Sequence, residues 1–398
     1  MSELHSHTAR PHTHLDWLDP IKGIAIAGVV WYHIAILLYG VPPFDHVKET
    51  WLPLADRLAR MAPVPNDALA TFFLVNAFRY IGWLGYQGVG LFLALSGFGL
   101  AWSQLRSGPS PEIDLRDYFL RRVWRVFPIY WAGHLFFLVF HALTGQPDVS
   151  ASDPRFYLSL AGVRFLPETF YTISPAWWYV GLIVQLYVVF PLLWKALMRW
   201  GLVRFWIGTA AITLIARAAG FAFLDRHLEM WSMGAIFVTR LFEFAFGMGL
   251  AWLLARQPER TERALLRRRT IAAAAGVYAL ALACSFTVAG QIVAHMLIAV
   301  SLFTLTYALS RRLLTRAWPV RRASVWLGEQ SYPLMILHQP ILWWFIPIGL
   351  AALPSYPTFI AALMALTAIV ALGSGAFGAI VEHVLAAMRR ISRKEPVV

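Results

Sequence analysis

The sequence predicts an all-α, polytopic membrane protein of about ten transmembrane helices with both termini in the cytoplasm. Three observations carry that expectation. Of 398 residues, 59% are hydrophobic and only 14% charged, where soluble domains hold about 45–50% and roughly 25%. The mean hydropathy is +0.59, and the apolar residues recur in runs close to the roughly 20 needed to cross a bilayer core. The basic residues, finally, gather in alternate loops. Together these exclude an ordinary water-soluble enzyme and a disordered chain.

Spans are expected near 20–41, 80–103, 126–144, 176–197, 203–223, 233–255, 270–288, 291–310, 331–350 and 357–386. Ten crossings put the N-tail, the loops 104–125, 195–204, 256–269 and 311–330, and the C-tail on one side. That side holds 25 of the 34 Lys and Arg residues and 10 of the 21 Asp and Glu residues. The positive-inside rule makes it the cytoplasmic side. The formal charge of +13 would point to nucleic acid in a soluble protein. Here loop orientation accounts for it, so the expected partner is the lipid bilayer and not nucleic acid. The expected location is a bacterial cytoplasmic membrane, and no oligomeric state is read from the chain.

Three regions are expected: a His-rich tail over 1–19, a membrane domain over 20–388 and a basic tail over 389–398. The N-tail lacks the charged start, short apolar stretch and small-residue site of a cleavable signal. Its His5, His7, His12 and His14 have no fold around them, and no metal site is expected there or elsewhere. The single Cys284 excludes a disulfide framework within the chain and reads as a small core filler.

The first span, DPIKGIAIAGVVWYH, sets Lys22 and His33 eleven residues apart. Eleven helical steps make three turns plus about 20°, so both share one face, and the rise between them is roughly 16 Å. Lys22 then marks the cytoplasmic rim and His33 lies near mid-membrane. A cation at the mouth with an imidazole below it suits a substrate with an anionic head and a reactive far end. The competing reading is a snorkelling lysine and a histidine that bridges two helices.

The second span carries Gly85, Gly88, Gly90, Gly97 and Gly99, which reads as close helix packing. Before the third span, FLRRVWRVFPIYW places Arg121, Arg122 and Arg125 within about one turn. Guanidinium groups grip phosphates bidentately; the competing reading is a lipid headgroup contact. In the sixth span Arg240 and Glu243 are spaced i,i+3 to pair, as a structural bridge or as the charged wall of a cavity. The ninth span brings Ser331, Tyr332 and His338 into an apolar helix. His134, His141 and His295 stand alone on apolar helices and read as structural.

These motifs converge. The chain resembles the membrane-bound acyltransferase family 3 over about residues 15–386. Asp19, Lys22, Gly23 and His33 match the family's start, and Ser96, Gly97 and Phe98 its second-span signature. Pro128 and Tyr130 follow its arginine-rich motif. PAWWYVGLIVQLYVVFP, RLFEFAFGMGLA and SYPLMILHQPIL are similar to its later motifs. Two departures stand out. Ile183 and Val184 precede Gln185 where many relatives carry two glutamates, so the chain resembles the branch with no attached hydrolase-like domain. Lys22 replaces the commoner arginine.

The resemblance implies an acyltransferase with no tightly bound cofactor. Its co-substrate would be cytoplasmic acyl-CoA, with acetyl-CoA the first candidate, and its acceptor a hydroxyl of a sugar or glycan. His33 would be general base, with Lys22 and Asp19 beside the donor path. Arg121, Arg122 and Arg125 would meet the CoA phosphates. Trp178, Tyr179, Gln185, Ser331, Tyr332 and His338 would line the reacting end, with Arg240 and Glu243 as its wall. A secondary transporter or polysaccharide exporter explains the spans and buried charges equally well, but gives no reason for Lys22 and His33 to share a face beside an arginine cluster.

Overall fold

Helices closing on one another through bare backbone set the architecture. The computed structural model describes residues 15–45, 52–107, 112–145, 150–224, 226–314, 317–352 and 355–392. The four tail histidines lie outside them. No strand occurs among the described residues, because apolar spans in lipid satisfy their backbone hydrogen bonds internally as helices.

In chain order, α1 (Leu18–Tyr39) leads to α2 (Leu54–Ala59) and α3 (Leu69–Trp83). A short 3-10 turn joins α3 to α4 (Gly88–Ser107). The 30-residue α5 (Leu115–Thr144) follows, then α6 (Pro154–Leu160) and α7 (Pro167–Phe170), α8 (Trp178–Trp200) and α9 (Leu202–Phe223). After α10 (Leu228–Met233) come α11 (Leu241–Arg256), α12 (Pro258–Leu265), α13 (Arg268–Cys284) and α14 (Val288–Leu309). The chain closes with α15 (Trp318–Glu329), α16 (Ser331–Ala352) and α17 (Tyr356–Ser392). One residue joins α8 to α9. Gly201 manages this with φ +75°, where a side chain would be strained.

All ten expected spans coincide with helices. Among the described residues, eight helical stretches are long and apolar enough to cross a membrane. The other two expected spans fall on α13 and α16. With 17 residues, α13 rises about 26 Å, just under the ~30 Å hydrocarbon core. The 22-residue α16 carries two internal prolines, Pro340 and Pro347.

Three boundaries differ from expectation. The 104–125 loop is half helix: α5 starts at Leu115, where Asp114 caps it by accepting from the Asp117 N–H at 3.1 Å. Hydropathy ends at the arginines, but the helix does not. The 311–330 loop contains α15, whose mixed charge hides an amphipathic helix. Part of the 42–79 loop is α2 and α3, which cover one end of the bundle.

Two large apolar clusters form, with a small third one of Ala35, Phe44, Trp83 and Tyr86 at the far end of α1. One is built around α4, α8, α11 and α14, with Phe98, Phe190 and Phe244 at its centre. The other is built around α5, α16 and α17 with Tyr130 and Trp177. Helix α1 belongs to both, giving Ile21 and Ala25 to the first and Ile26, Val30 and Ile34 to the second. It is wedged in place by glycines. A Cβ on Gly23 would fall on the Ser324 carbonyl of α15, and one on Gly328 on the Asp19 carbonyl of α1. Likewise α4 and α11 cross where a Cβ on Gly97 would meet the Phe244 carbonyl.

Beyond the far end of α1 the chain is strapped by buried polar groups. Gln291 donates to the Phe44 carbonyl at 3.3 Å and to that of Asp45, and Arg217 donates to the Gln291 carbonyl at 2.8 Å. Fully buried Arg164 joins Ser159 to the Thr172 and Ser174 carbonyls.

The α4–α11 crossing yields a stability prediction. Gly97→Val should lower the thermal midpoint of the detergent-solubilised protein, costing about 1–3 kcal/mol by overpacking. Gly99→Ala, which would meet no atom within 4 Å, should leave the midpoint unchanged or raise it. Equal midpoints for Gly97→Val and wild type would contradict the close crossing.

Candidate functional site

Two cavities lie along the seam between the apolar clusters. The first, about 440 Å³, opens toward the basic end. The second, about 390 Å³, lies beside the far half of α1 and residues Val41 and Asp45 that follow it. Phe92, Tyr179 and Met335 line both, so these three side chains form the neck that stands between the cavities. The same four helices wall both chambers. On α4 the lining residues Phe92, Ser96, Gly99 and Ser103 follow an i,i+3/i+4 stripe, and on α16 so do Tyr332, Met335, Gln339 and Trp343. Each stripe is one helix face.

The basic chamber holds Lys22, Arg122 and Arg125. Lys22 pairs with Asp19, Nζ to Oδ1 2.9 Å, which uses one of three ammonium donors. Arg122 sits over the rings of Tyr118 and Tyr187 at 5.8 and 6.0 Å. Its Nε is buried without a hydrogen-bond partner among the described residues. A guanidinium held by two rings with a donor unspent is suited to an anionic oxygen. Gly99 belongs here too: a side chain at that position would enter the chamber instead of a neighbouring helix.

The second chamber holds His33, Tyr32, Asp45 and Glu229 among Trp178, Trp343 and other aromatic rings. His33 is 9% exposed. Its Nδ1 lies 2.9 Å from Nε2 of His338, whose own Nδ1 lies 2.7 Å from the Leu334 carbonyl. The Trp343 indole donates to the His33 carbonyl at 3.1 Å. The phenol of Tyr32 donates to Asp45. Gln339 accepts from the Ala176 N–H through Oε1 at 2.5 Å. A backbone N–H can only donate, so the Gln339 oxygen is the group engaged and its amide nitrogen is left for the chamber.

The sequence-predicted residues divide into three groups. Lys22, Arg122, Arg125, Tyr179, Ser331 and Tyr332 line the basic chamber, and His33, Trp178 and Tyr179 the second. Asp19 and His338 stand behind Lys22 and His33 as their partners. The rest are elsewhere. Arg121 lines neither chamber; its head is exposed and pairs with Asp117. Adjacent helical residues diverge by about 100°, so it cannot share the face of Arg122. Gln185 spends its amide on the Ala235 carbonyl at 2.9 Å and the Phe237 N–H at 3.1 Å, which folds the turn before α11. Arg240 and Glu243 pair at 2.6 Å with 3% and 0% exposure, sealed where α4 passes. Asp45, Glu229, Gln339 and Trp343 carried no local sequence signal, since nothing in their periodicity tells that the chain returns them to α1.

Residues 15–375 match the family model described as an acyltransferase domain. The chain belongs to acyltransferase family 3. Neither the curated proteins nor the solved structures contain a match. Family membership makes the protein a membrane acyltransferase.

The chambers predict two-sided access. In a Cys284→Ser background, which removes the sole cysteine, a cysteine at Ser103 should react with a membrane-impermeant maleimide from one face of the membrane. A cysteine at Ile36 should react only from the other. Labelling of both from the same face would mean the chambers do not open oppositely.

Proposed function

We propose that this protein moves an acyl group, acetyl in the first instance, from cytoplasmic acyl-CoA to a hydroxyl of a sugar or glycan entering from the opposite side of a bacterial cytoplasmic membrane. The observation that carries the reading is the neck. A chamber with three cations and a chamber with an imidazole share Phe92, Tyr179 and Met335, and a long, thin, anion-headed molecule would reach from the first to the second past these three side chains. The CoA phosphates would meet Arg122, Arg125 and Lys22, and the pantetheine arm would follow α1 over the roughly 16 Å between Lys22 and His33. The thioester would then lie at the neck.

In the reaction, the acceptor oxygen attacks the thioester carbonyl while His33 Nε2 takes the hydroxyl proton. The C–S bond breaks. The proton passes from Nε2 to the departing sulfur, which leaves as the free thiol. The Gln339 amide is the side-chain donor best placed to steady the carbonyl oxygen. Ser331 and Tyr332 stand toward the basic end, and Tyr332 already donates to the Val126 carbonyl at 2.8 Å.

His33→Ala should abolish transfer, by 10² or more as expected for a lost general base, with acetyl-CoA binding kept. An active His33→Ala variant would remove the proposed base. Reversing charge at Arg122 should raise KM for acyl-CoA at least tenfold, whereas the same change at Arg121 should leave it near wild type. Equal effects at both would place the phosphates outside the basic chamber. Sugar counterflow without CoA would instead mark a carrier.

A further inference from the structure

The sequence offered His338 as a lining residue; its contacts assign it a different task. It is fully buried, and both ring nitrogens are engaged. A carbonyl oxygen only accepts, so the 2.7 Å contact with Leu334 puts the proton of neutral His338 on Nδ1. Its Nε2 is then a bare lone pair. Across from it, at 2.9 Å, His33 Nδ1 must carry the proton of that bond. One proton remains on a neutral His33, and Nδ1 has it. His33 Nε2 is therefore the basic nitrogen; the ring also hydrogen-bonds the backbone of Val29, four residues earlier on α1.

We infer that His338 is a positioning residue that fixes the tautomer of His33 and supports the imidazolium formed when Nε2 is protonated. Leu334 and His338 are four apart on α16, so the helix repeat itself supplies the carbonyl that orients the ring. The arrangement repeats the logic of a carboxylate behind a catalytic histidine, with a neutral acceptor in its place. A carboxylate there would be a buried charge without a partner whenever His33 is neutral. A second imidazole accepts the same hydrogen bond without that cost. The Trp343 indole on the His33 carbonyl holds the backbone of the same turn.

The inference rests on His33 being the base, and the experiment separates the two. Wild type, His33→Ala, His338→Phe and His338→Gln are compared in nanodiscs for kcat, KM for acetyl-CoA and acetyl-CoA binding, with 15N spectra of the histidines read in parallel. His338→Phe keeps a ring in the space but has no acceptor. It should lower kcat about 10²-fold while KM and binding change less than about twofold. His338→Gln presents an amide oxygen to Nδ1 and should recover at least tenfold of that loss. The wild-type spectrum should show His33 protonated at Nδ1 only, and His338→Phe a mixture of tautomers. Full activity in His338→Phe beside an inactive His33→Ala would overturn the positioning role and leave the base intact. A fall in kcat matched by lost binding and thermal stability in both His338 variants would make the residue merely structural. An active His33→Ala would overturn both ideas together.

Discussion

The double membership of α1 in the two apolar clusters is the constraint on which the remaining structure depends. A helix buried against one neighbour can rotate or slide at modest cost. One whose faces belong to two separately packed groups, and whose glycines abut foreign carbonyls, cannot. Gly23 against Ser324 and Gly328 against Asp19 fix the height of α1 at the basic end. Ile34 and Ala35, buried to 3% and 0%, hold it at the other. Lys22 and His33 are thereby set at defined depths, and the seam on either side becomes the two chambers. Gly23 and Gly328, which the sequence did not mark as packing devices, therefore set the depth of the side chains that line the chambers.

Much of the fold was legible because membrane spans advertise themselves. Twenty apolar residues cannot be anything but a span or a deeply buried helix, and the loop charges gave the rest. What escaped did so for a common reason: hydropathy reports the lipid boundary, not the helix boundary. Helix α5 runs on past Arg125, Arg122 and Arg116 because charged residues with long side chains are good helix formers. Helix α15 carries arginines on one side and packs the other on α1, which a charge count reads as a loop. The site was legible where its logic is local. Lys22 and His33 lie on one helix with a fixed repeat, so spacing was enough to put both on the face that lines the chambers. Arg121 was misgrouped because closeness in sequence is not closeness on a helix surface. Gln185 was misread because a polar residue amid apolar ones signals only that it has a partner, here a turn of backbone. Asp45 and Glu229 come from segments outside the spans, and their placement depends on Gln291 and Arg217 far along the chain.

The buried charges of this protein fall into two kinds with different consequences. Arg164 and Arg217 donate chiefly to backbone carbonyls of the outer segments, and Arg240 to Glu243. Each is enclosed and largely satisfied, and each ties a loop or a turn to the bundle. Removing one would leave carbonyls unpaired in an apolar setting, at about 1–3 kcal/mol apiece. Lys22 and Arg122 are different, because they face open volume. Arg122 keeps a buried donor without an acceptor. A cation that faces a cavity has room for an anionic ligand, where an enclosed one has none, and that distinction, more than charge itself, separates the candidate site from the scaffold.

Placing donor recognition at one end and the base at the other has an energetic meaning under the proposed reaction. The CoA head takes no part in bond making, yet its phosphates would supply most of the attraction. That attraction can be used to hold a thioester, which has almost no binding handle of its own, beside His33 at the neck. The neck must then be narrow. If Phe92, Tyr179 and Met335 left a wide passage, water and the acceptor would reach the thioester without the orientation that two separate chambers impose. The three residues come from three different helices, α4, α8 and α16, so the aperture depends on how the two apolar clusters sit against each other. Helix α1 sets that relation. The same wedge that fixes the depth of His33 therefore also fixes the spacing of the three side chains past which, under the proposed reaction, the acyl group would arrive.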